Sequence, residues 1–302
     1  MLMRSGDMLD KRYETLLVLV QTKSYTQTAQ RLFITQPAVS QQIKSLEMEL
    51  NVKLVRYQRP RLTITPAGQE LAAFVQRIQV QANKVVTALQ HPQVTRQVIF
   101  STTLSLSEFL APQLIQAIQA TQQFRDIQCR VTNTQAALTA IDRGTSDFAL
   151  IEGNFDKTRY DYQVVREEPF VAVVAANHPL AQQAQVSWAD LTAYPLLLRE
   201  LGSGSREILT NLAQAANVTL AEFSQTVTIN NLAAIRQLLL QGAGVSFVYR
   251  SVVASELAVG KLVTLRLPAG QLLHELAVVY ARDSFFAADY QRWTQALRQP
   301  GN

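Results

Sequence analysis

Short polar side chains lie along one face of an amphipathic segment near residue 40. Apolar residues recur there at every third or fourth position, at Val39, Ile43, Leu46 and Leu50, which predicts a helix. The opposite face carries amide, hydroxyl and ammonium groups, at Gln36, Ser40, Gln41 and Lys44. Amides and hydroxyls suit hydrogen bonds to base edges, and an ammonium group suits a phosphate. This face has the chemistry of a nucleic-acid contact.

Two predicted helices would position this polar face. Ser24, with a glutamine three residues later, has the spacing of a capping box and begins a short helix. Thr35 caps the next helix, and Pro37 is tolerated in its first turn because those N–H groups have no intrahelical partner. Two helices joined by residues 33–35, the second with a polar N-terminal face, predict a helix-turn-helix.

A basic hairpin is predicted after these helices. Residues 53–55 and 61–63 can pair as strands, and residues 56–60 form the tip. Arg56, Arg59 and Arg61 place cations on this wing, where they could enter a minor groove or bind phosphates. An ordinary solvated turn is the alternative, and a neighbouring recognition helix favours the contact with DNA.

The net charge of +5 is unevenly distributed. Residues 1–92 hold 12 of the 28 Lys and Arg but only 6 of the 23 Asp and Glu, a net charge of +6. The remaining residues carry a net charge of −1. A basic N-terminal third is the balance expected of a segment that meets a polyanion.

These motifs carry a family resemblance. Residues 24–32, 35–43 and 62–68, with the leucines that follow the second segment, resemble the DNA-binding domain of LysR-type transcriptional regulators over about residues 10–89. The resemblance implies major-groove reading by Gln36, Pro37, Ser40 and Gln41. It implies phosphate or minor-groove contacts by Thr35, Lys44, Arg56, Arg59 and Arg61.

A long helix should follow the wing. Pro66 suits a first turn, and the next proline is Pro92. Apolar residues recur with nearly heptad spacing, at Leu71, Phe74, Ile78, Ala82, Val85 and Leu89. A rod of about 36 Å is longer than a small domain can cover, so it predicts pairing with a second copy. The family resemblance implies a homodimer or homotetramer, with double-stranded DNA and RNA polymerase as partners.

The C-terminal two-thirds alternates short apolar strands with amphipathic helices, which predicts α/β lobes with largely parallel sheets. The expected strands include 98–102, 148–151, 170–175 and 245–249, and one helix is expected over 106–120. The resemblance extends here and implies an effector domain of the periplasmic-binding-protein type. The predicted fold is therefore α+β and α/β: a winged helix-turn-helix over 1–65, a linker helix over 66–92 and a regulatory domain over 93–302. In that domain, lobe I covers about 93–166 and 268–302, and lobe II about 167–267.

Hydroxyl and amide groups cluster where the predicted strands end and helices begin. Ligands of open α/β sheets bind at such carboxyl ends, and helix N-termini favour anions. The candidate effector-binding residues are Thr102, Thr103, Leu104, Ser105, Asn133, Thr134, Ser203, Gly204, Ser205 and Asn231. Ser105 and Glu108 have capping-box spacing. Glu152 follows the strand 148–151 and could face the cleft as a ligand contact, but a surface carboxylate at the strand end is favoured. A small anionic metabolite between the lobes is the predicted effector.

Several functional classes are disfavoured. One cysteine, three scattered histidines and no long apolar run argue against a disulfide framework, a metal centre and a membrane protein, and favour the cytoplasm. No nucleophile elbow, dinucleotide fingerprint or P-loop occurs, so no cofactor is expected. The alternative class is a metabolic enzyme on a solute-binding-type fold with an accessory basic domain. A role for Cys129 as a redox sensor stays open.

Overall fold

The computed structural model describes residues 10–58, 61–90, 96–268, 272–282 and 284–298. The chain folds as two compact units that divide near residue 94. The first unit contains, in chain order, α1 (Lys11–Thr22), α2 (Tyr25–Leu32), α3 (Gln36–Leu50), β1 (Val55–Gln58), β2 (Arg61–Ile64) and α4 (Pro66–Gln90).

The predicted helix-turn-helix is present. The Ser24 side chain accepts a hydrogen bond from the Gln27 amide and caps α2, and the Thr35 side chain accepts one from the Ala38 amide and caps α3. Phe33 ends α2 in the left-handed conformation, with φ of 55°. The apolar stripe of α3 packs with α1 around a small core that includes Leu16, Leu19, Ile43 and Leu46.

The wing is shifted relative to its prediction. β1 and β2 pair antiparallel from Val55 opposite Ile64 to Gln58 opposite Arg61, so Arg56 lies on a strand and not in the tip. The predicted strand 53–55 begins two residues too early: β1 starts at Val55, and the Leu54 amide before it is donated to the Glu47 side chain. Arg59 lies outside the described residues.

Glu47 holds α3 against the wing. Its Oε1 accepts hydrogen bonds from the Leu54 and Val55 amides at 2.9 and 3.1 Å, and its Oε2 accepts one from Lys53 Nζ at 2.7 Å. Burial alone would raise the pKa of this carboxyl, but the bonds from Lys53, Val55 and Leu54 outweigh it and hold the pKa below its ordinary value.

We expect Glu47→Gln to lower the free energy of unfolding of this unit by about 1.5–3 kcal/mol at pH 7, because a charged acceptor of buried amides is lost. Because the pKa of Glu47 is lower in the folded protein than in the unfolded chain, its ionised carboxylate stabilises the fold fully above pH 4.5, the ordinary pKa of glutamate. This stabilisation is lost as the pH falls through the pKa of the folded protein. The difference between wild type and variant should therefore shrink in acid. Urea denaturation at several pH values measures it, with the exposed Glu70→Gln as control. A constant difference across pH would contradict the assignment.

α4 changes its surroundings along its length. Near its start, Ala72 and Val75 are buried, and Leu71 packs against the small core. Phe74 and Ile78, which belong to the predicted apolar seam, are 50% and 37% exposed. These large apolar side chains on a helix of 25 residues form an exposed apolar surface in the single chain.

The second unit is built on one mixed sheet. Its strands are β3 (Arg96–Thr103), β4 (Phe124–Thr132), β5 (Phe148–Glu152), β6 (Tyr160–Ala175), β7 (Pro195–Leu198), β8 (Gln225–Thr228), β9 (Val245–Tyr249), β10 (Leu262–Thr264) and β11 (Leu272–Ala281). Its helices are α5 (Leu104–Phe109), α6 (Ala111–Ala120), α7 (Thr134–Asp142), α8 (Trp188–Thr192), α9 (Gly204–Ala215), α10 (Leu232–Leu240), α11 (Ala254–Ala258) and α12 (Ala287–Arg298).

The sheet order is β4-β3-β5-β11-β6-β9-β7-β8, with β10 also paired to β6. Parallel strands β3, β4 and β5 form what we call the first lobe, and parallel strands β7, β8 and β9 form the second lobe. The long strand β6 pairs with β11 in its first part and with β9 and β10 in its last part. Two antiparallel strands therefore connect the lobes.

Two elements of the second unit differ from their prediction. The single helix expected over 106–120 is two helices, because Pro112 stands in the first turn of α6, where its missing N–H is tolerated. The strand expected over 170–175 is the last part of β6, which begins at Tyr160. The core beneath the first lobe includes a stacked pair, Phe100 and Phe148, against Trp293 of α12.

Candidate DNA surface and effector cleft

The N-terminal half of α3 presents an exposed polar face. Gln36, Pro37, Gln41 and Lys44 are exposed, and Ser40 is half-buried. Thr35 is exposed at the cap, where its hydroxyl is engaged with the Ala38 amide at 3.3 Å. The structure thus brings together the candidate base-contacting side chains on one helical face. The wing adds Arg56, which is exposed on β1, and Arg61, which lies on β2.

The candidate effector residues lie at the carboxyl ends of parallel strands. Thr103 ends β3 and Glu152 ends β5 in the first lobe. In the second lobe, Arg199 follows β7 directly, and Ser203 and Gly204 stand at the start of α9. This is the edge where open α/β sheets bind ligands.

Glu152 is the centre of this group. The sequence suggested a surface carboxylate, but only 1% of the residue is exposed. Its Oε2 accepts a hydrogen bond from the Thr103 hydroxyl, and its backbone carbonyl accepts one from the Thr134 hydroxyl at 3.2 Å. Burial raises the pKa of the Glu152 carboxyl, against the opposing effects of Thr103, Arg199 and Ser105.

The lobes meet at glycines beside Glu152. The Gly204 amide donates to the Thr134 hydroxyl at 3.2 Å, and the Gln135 amide donates to the Gly202 carbonyl at 3.3 Å. A Cβ atom on Gly204 would lie 2.5 Å from the Glu152 carbonyl oxygen. Only a residue without a side chain allows this approach, so Gly204 sets how closely the lobes pack.

Arg199 supplies a buried cation on the second lobe. Its Nε and Nη2 donate to the two carboxylate oxygens of Glu200 at 2.8 and 2.9 Å, and 4% of its side chain is exposed. Burial alone would raise the pKa of Glu200, but Arg199 outweighs it and lowers that pKa. The Arg206 guanidinium donates to the Arg199 carbonyl at 2.9 Å and fixes the segment before α9.

Ser203 and Ser205 complete the second-lobe group. Their hydroxyls are 2.9 Å apart, and Ser203 makes no side-chain cap bond to α9. The two hydroxyls therefore face each other, and the Ser203 side chain does not cap the first turn of α9.

The remaining candidates have local roles. Thr102 is buried, and its hydroxyl lies 3.4 Å from the Thr103 carbonyl, while Leu104 begins α5. Asn133 accepts a hydrogen bond from the Ala136 amide, and Asn231 accepts one from the Ala234 amide. Among the described residues, no hydrogen bond joins the Asn231 side chain to the group around Glu152.

The capping box predicted for Ser105 and Glu108 is wrong. α5 begins two residues earlier, with Thr103 at its N-cap, so Ser105 lies within the helix. Glu108 instead accepts a hydrogen bond from Arg236 Nη1 of α10 at 2.7 Å. This is a further hydrogen bond between the lobes.

Arg199 and Tyr249 were not among the sequence candidates for this cleft, and Glu152 was favoured as a surface carboxylate over a ligand contact. Each stands at the end of a short apolar strand, after Phe148–Ile151, after Pro195–Leu198 or at the end of Val245–Tyr249. A polar group at the carboxyl end of a mostly apolar strand was the available signal. It points to a side chain that the lobe buries.

Other reactive groups give no second site. Cys129 is half-buried on β4, and burial raises the pKa of its thiol, which disfavours the reactive thiolate. His178 is buried, and its Nδ1 accepts a hydrogen bond from the Leu180 amide at 3.2 Å. Across the described ranges, no group of His, Cys, Asp and Glu could hold a metal ion, and no helix is long and apolar enough to cross a membrane.

The chain matches two family descriptions. Residues 11–69 match "Bacterial regulatory helix-turn-helix protein, lysR family", and residues 91–301 match "LysR substrate binding domain". Among the curated relatives, the chain is 24% identical to the HTH-type transcriptional regulator CysL of Bacillus subtilis over 271 residues, which cover 89% of each chain.

Solved structures have the same fold. LysG of Corynebacterium glutamicum, with bound effector Arg, gives a TM-score of 0.69 at 16% identity and covers 95% of this chain and 96% of its own. ArgP of Mycobacterium tuberculosis gives 0.69 at 19% identity and covers 96% of each chain. The curated relatives are named transcriptional regulators, which is consistent with a regulator and not with the enzyme alternative. The chain belongs to the lysR family of bacterial regulatory helix-turn-helix proteins and is a DNA-binding transcriptional regulator modulated by a small-molecule effector.

Proposed function

We propose that α3 reads the operator through Gln36, Pro37, Ser40 and Gln41, and that the cations of α3 and the wing bind its backbone. The observation that carries this proposal is the exposed amide face on the N-terminal half of α3. Thr35, Lys44, Arg56, Arg59 and Arg61 supply the phosphate or minor-groove contacts. Amides select bases because they donate and accept at once, whereas cations hold any phosphate.

Two variants on one helix separate these roles. Gln41→Ala should lower discrimination between selected and random duplexes by about 1–3 kcal/mol, because a base contact is lost. Lys44→Ala should weaken binding to all duplexes and reduce the slope of log affinity against log salt by about 1. The duplexes come from selection on genomic DNA with purified protein, and affinities are measured by fluorescence anisotropy over a salt series.

The exposed Gln119→Ala on α6 is the matched control and should change neither quantity. Equal losses for Gln41→Ala and Lys44→Ala, in both discrimination and salt slope, would contradict the division of roles. Genomic fragments without a shared sequence would contradict base reading by this helix.

We propose further that the effector is a small anion bound at the carboxyl ends of the strands in the second unit. The candidates Thr102, Thr103, Leu104, Ser105, Asn133, Thr134, Ser203, Gly204, Ser205 and Asn231 line or adjoin these ends. The buried Arg199 and the start of α9 supply positive charge and N–H groups. A ligand there touches both lobes, so its binding free energy depends on the relative orientation of the two lobes.

The regulator would act in the cytoplasm as a homodimer or homotetramer. Phe74 and Ile78 on α4 leave an apolar face that a second copy can cover. A dimer places two recognition helices about one DNA turn apart. Sedimentation of the folded protein as a monomer at micromolar concentration would contradict this assembly. RNA polymerase is the partner through which bound regulator would alter transcription.

A further inference from the structure

Within the described part of the chain, three buried polar atoms at the carboxyl ends of the strands have no hydrogen-bond partner. They are Glu152 Oε1 after β5, Arg199 Nη1 after β7 and the Tyr249 hydroxyl at the end of β9. The exposed fractions are 1% for Glu152, 4% for Arg199 and 0% for Tyr249. A buried polar group without a partner costs about 1–3 kcal/mol, so three at one edge of a sheet require an explanation.

The three groups are coupled electrostatically. The Arg199 cation acts to lower the pKa of the Glu152 carboxyl, and the Glu152 charge is among the causes, after burial, that raise the pKa of the Tyr249 hydroxyl. They come from both lobes: Glu152 belongs to the first and the other two to the second. A ligand held between the lobes at these strand ends would therefore meet buried polar groups of both lobes.

Each atom specifies a different partner. Arg199 Nη1 is a donor and requires an acceptor, which an anion satisfies best. Glu152 Oε2 already accepts from the Thr103 hydroxyl, so in the ionised carboxyl Oε1 is a second acceptor. It therefore requires a donor. The Tyr249 hydroxyl can serve either kind of group.

We infer that the effector is a carboxylic acid that carries a hydroxyl or amino group beside its carboxylate, with the carboxylate on Arg199 and the donor on Glu152. This inference rests on the proposed effector cleft and narrows its ligand class. A plain anion leaves Glu152 Oε1 unpaired next to a second negative charge. A plain amine leaves Arg199 Nη1 unpaired. Only a ligand with both groups satisfies both lobes.

Matched acids test the requirement. The melting temperature of the purified full-length protein is measured in the presence of three sets of acids, each with an unsubstituted acid first and its hydroxyl and amino derivatives after it. The sets are propionate, lactate and alanine; succinate, malate and aspartate; and phenylpropionate, phenyllactate and phenylalanine. Propylamine serves as the amine without a carboxylate. We expect a substituted acid of at least one set to raise the melting temperature of the second unit. Calorimetric titration should give it an affinity at least about tenfold above that of its unsubstituted acid, the loss expected for one unmade charged hydrogen bond.

Two conservative variants locate the ligand. Glu152→Gln replaces one carboxylate oxygen by an amide nitrogen and should reduce the tenfold preference for the substituted acid. Arg199→Lys removes the planar fork and should weaken both acids together. The exposed Glu275→Gln and Arg125→Lys are matched controls for the same chemical changes elsewhere and should leave both affinities unchanged.

The outcomes separate this inference from the proposed cleft. Equal affinities for substituted and unsubstituted acids that Arg199→Lys weakens would overturn the donor requirement and leave the anion site standing. Binding that neither variant changes would overturn the cleft as well. If no substituted acid of any set stabilises the protein, the inference is wrong.

Discussion

Replacing Leu46 by alanine is expected to unfold the DNA-binding unit while the effector unit stays folded. Leu46 is fully buried in a small core with Leu16, Leu19 and Ile43. Removal of a buried leucine side chain costs about 2–5 kcal/mol, a large part of the stability of a domain this small. Calorimetry should show the first unit's transition shifted down or absent and the second unit's transition in place.

Met48→Ala on the same helix is the control, because Met48 is 76% exposed and its truncation leaves no cavity. Operator binding should be lost in Leu46→Ala and retained in Met48→Ala. A single calorimetric transition that moves as a whole in Leu46→Ala would show that the units unfold together, contrary to their division near residue 94.

Substitution of Gly204 by alanine should force the lobes apart. The new Cβ would lie 2.5 Å from the Glu152 carbonyl oxygen and 2.8 Å from the Thr134 hydroxyl, so these backbones must separate. Overpacking of this kind costs about 1–3 kcal/mol. We expect faster hydrogen exchange at the Gly204 and Gln135 amides, which bridge the lobes, and an effector affinity about five- to 150-fold weaker.

Gly242→Ala is the matched control for this substitution. Gly242 has φ of 73°, so alanine strains its backbone, but nothing lies within 4 Å of the added Cβ. It should cost about 1–2 kcal/mol locally and leave exchange at the Gln135 amide unchanged. The same increase in exchange in both variants would mean that lost stability, and not a clash between lobes, is responsible.

The elements with strong periodicity could be predicted from the sequence, and those held by long-range pairing could not. α3 has one apolar stripe and one polar face, so its place and its exposed side follow from spacing alone. The first part of β6 contains charged residues and Pro169, and it becomes a strand because β11, more than 100 residues later, pairs with it. The local sequence of β6 does not indicate that β11 will pair with it.

The same limit applies to the cleft. The position of the hydroxyls at the carboxyl edge of the sheet could be predicted, since caps and strand ends can be recognised locally. The burial of Glu152 depends on Gly204 and Thr134, which come from other segments. A carboxylate at a strand end is usually solvated, and long-range contacts from both lobes reverse that expectation here.

The position of β11 sets the order in which the second unit can be completed. This strand lies between β5 and β6, yet it is synthesised after every strand of the second lobe. Until it leaves the ribosome, β5 and the first part of β6 expose open edges that can pair with other chains. Nascent chains arrested before residue 272 should therefore depend on chaperones, and release of β11 is the step that closes the sheet.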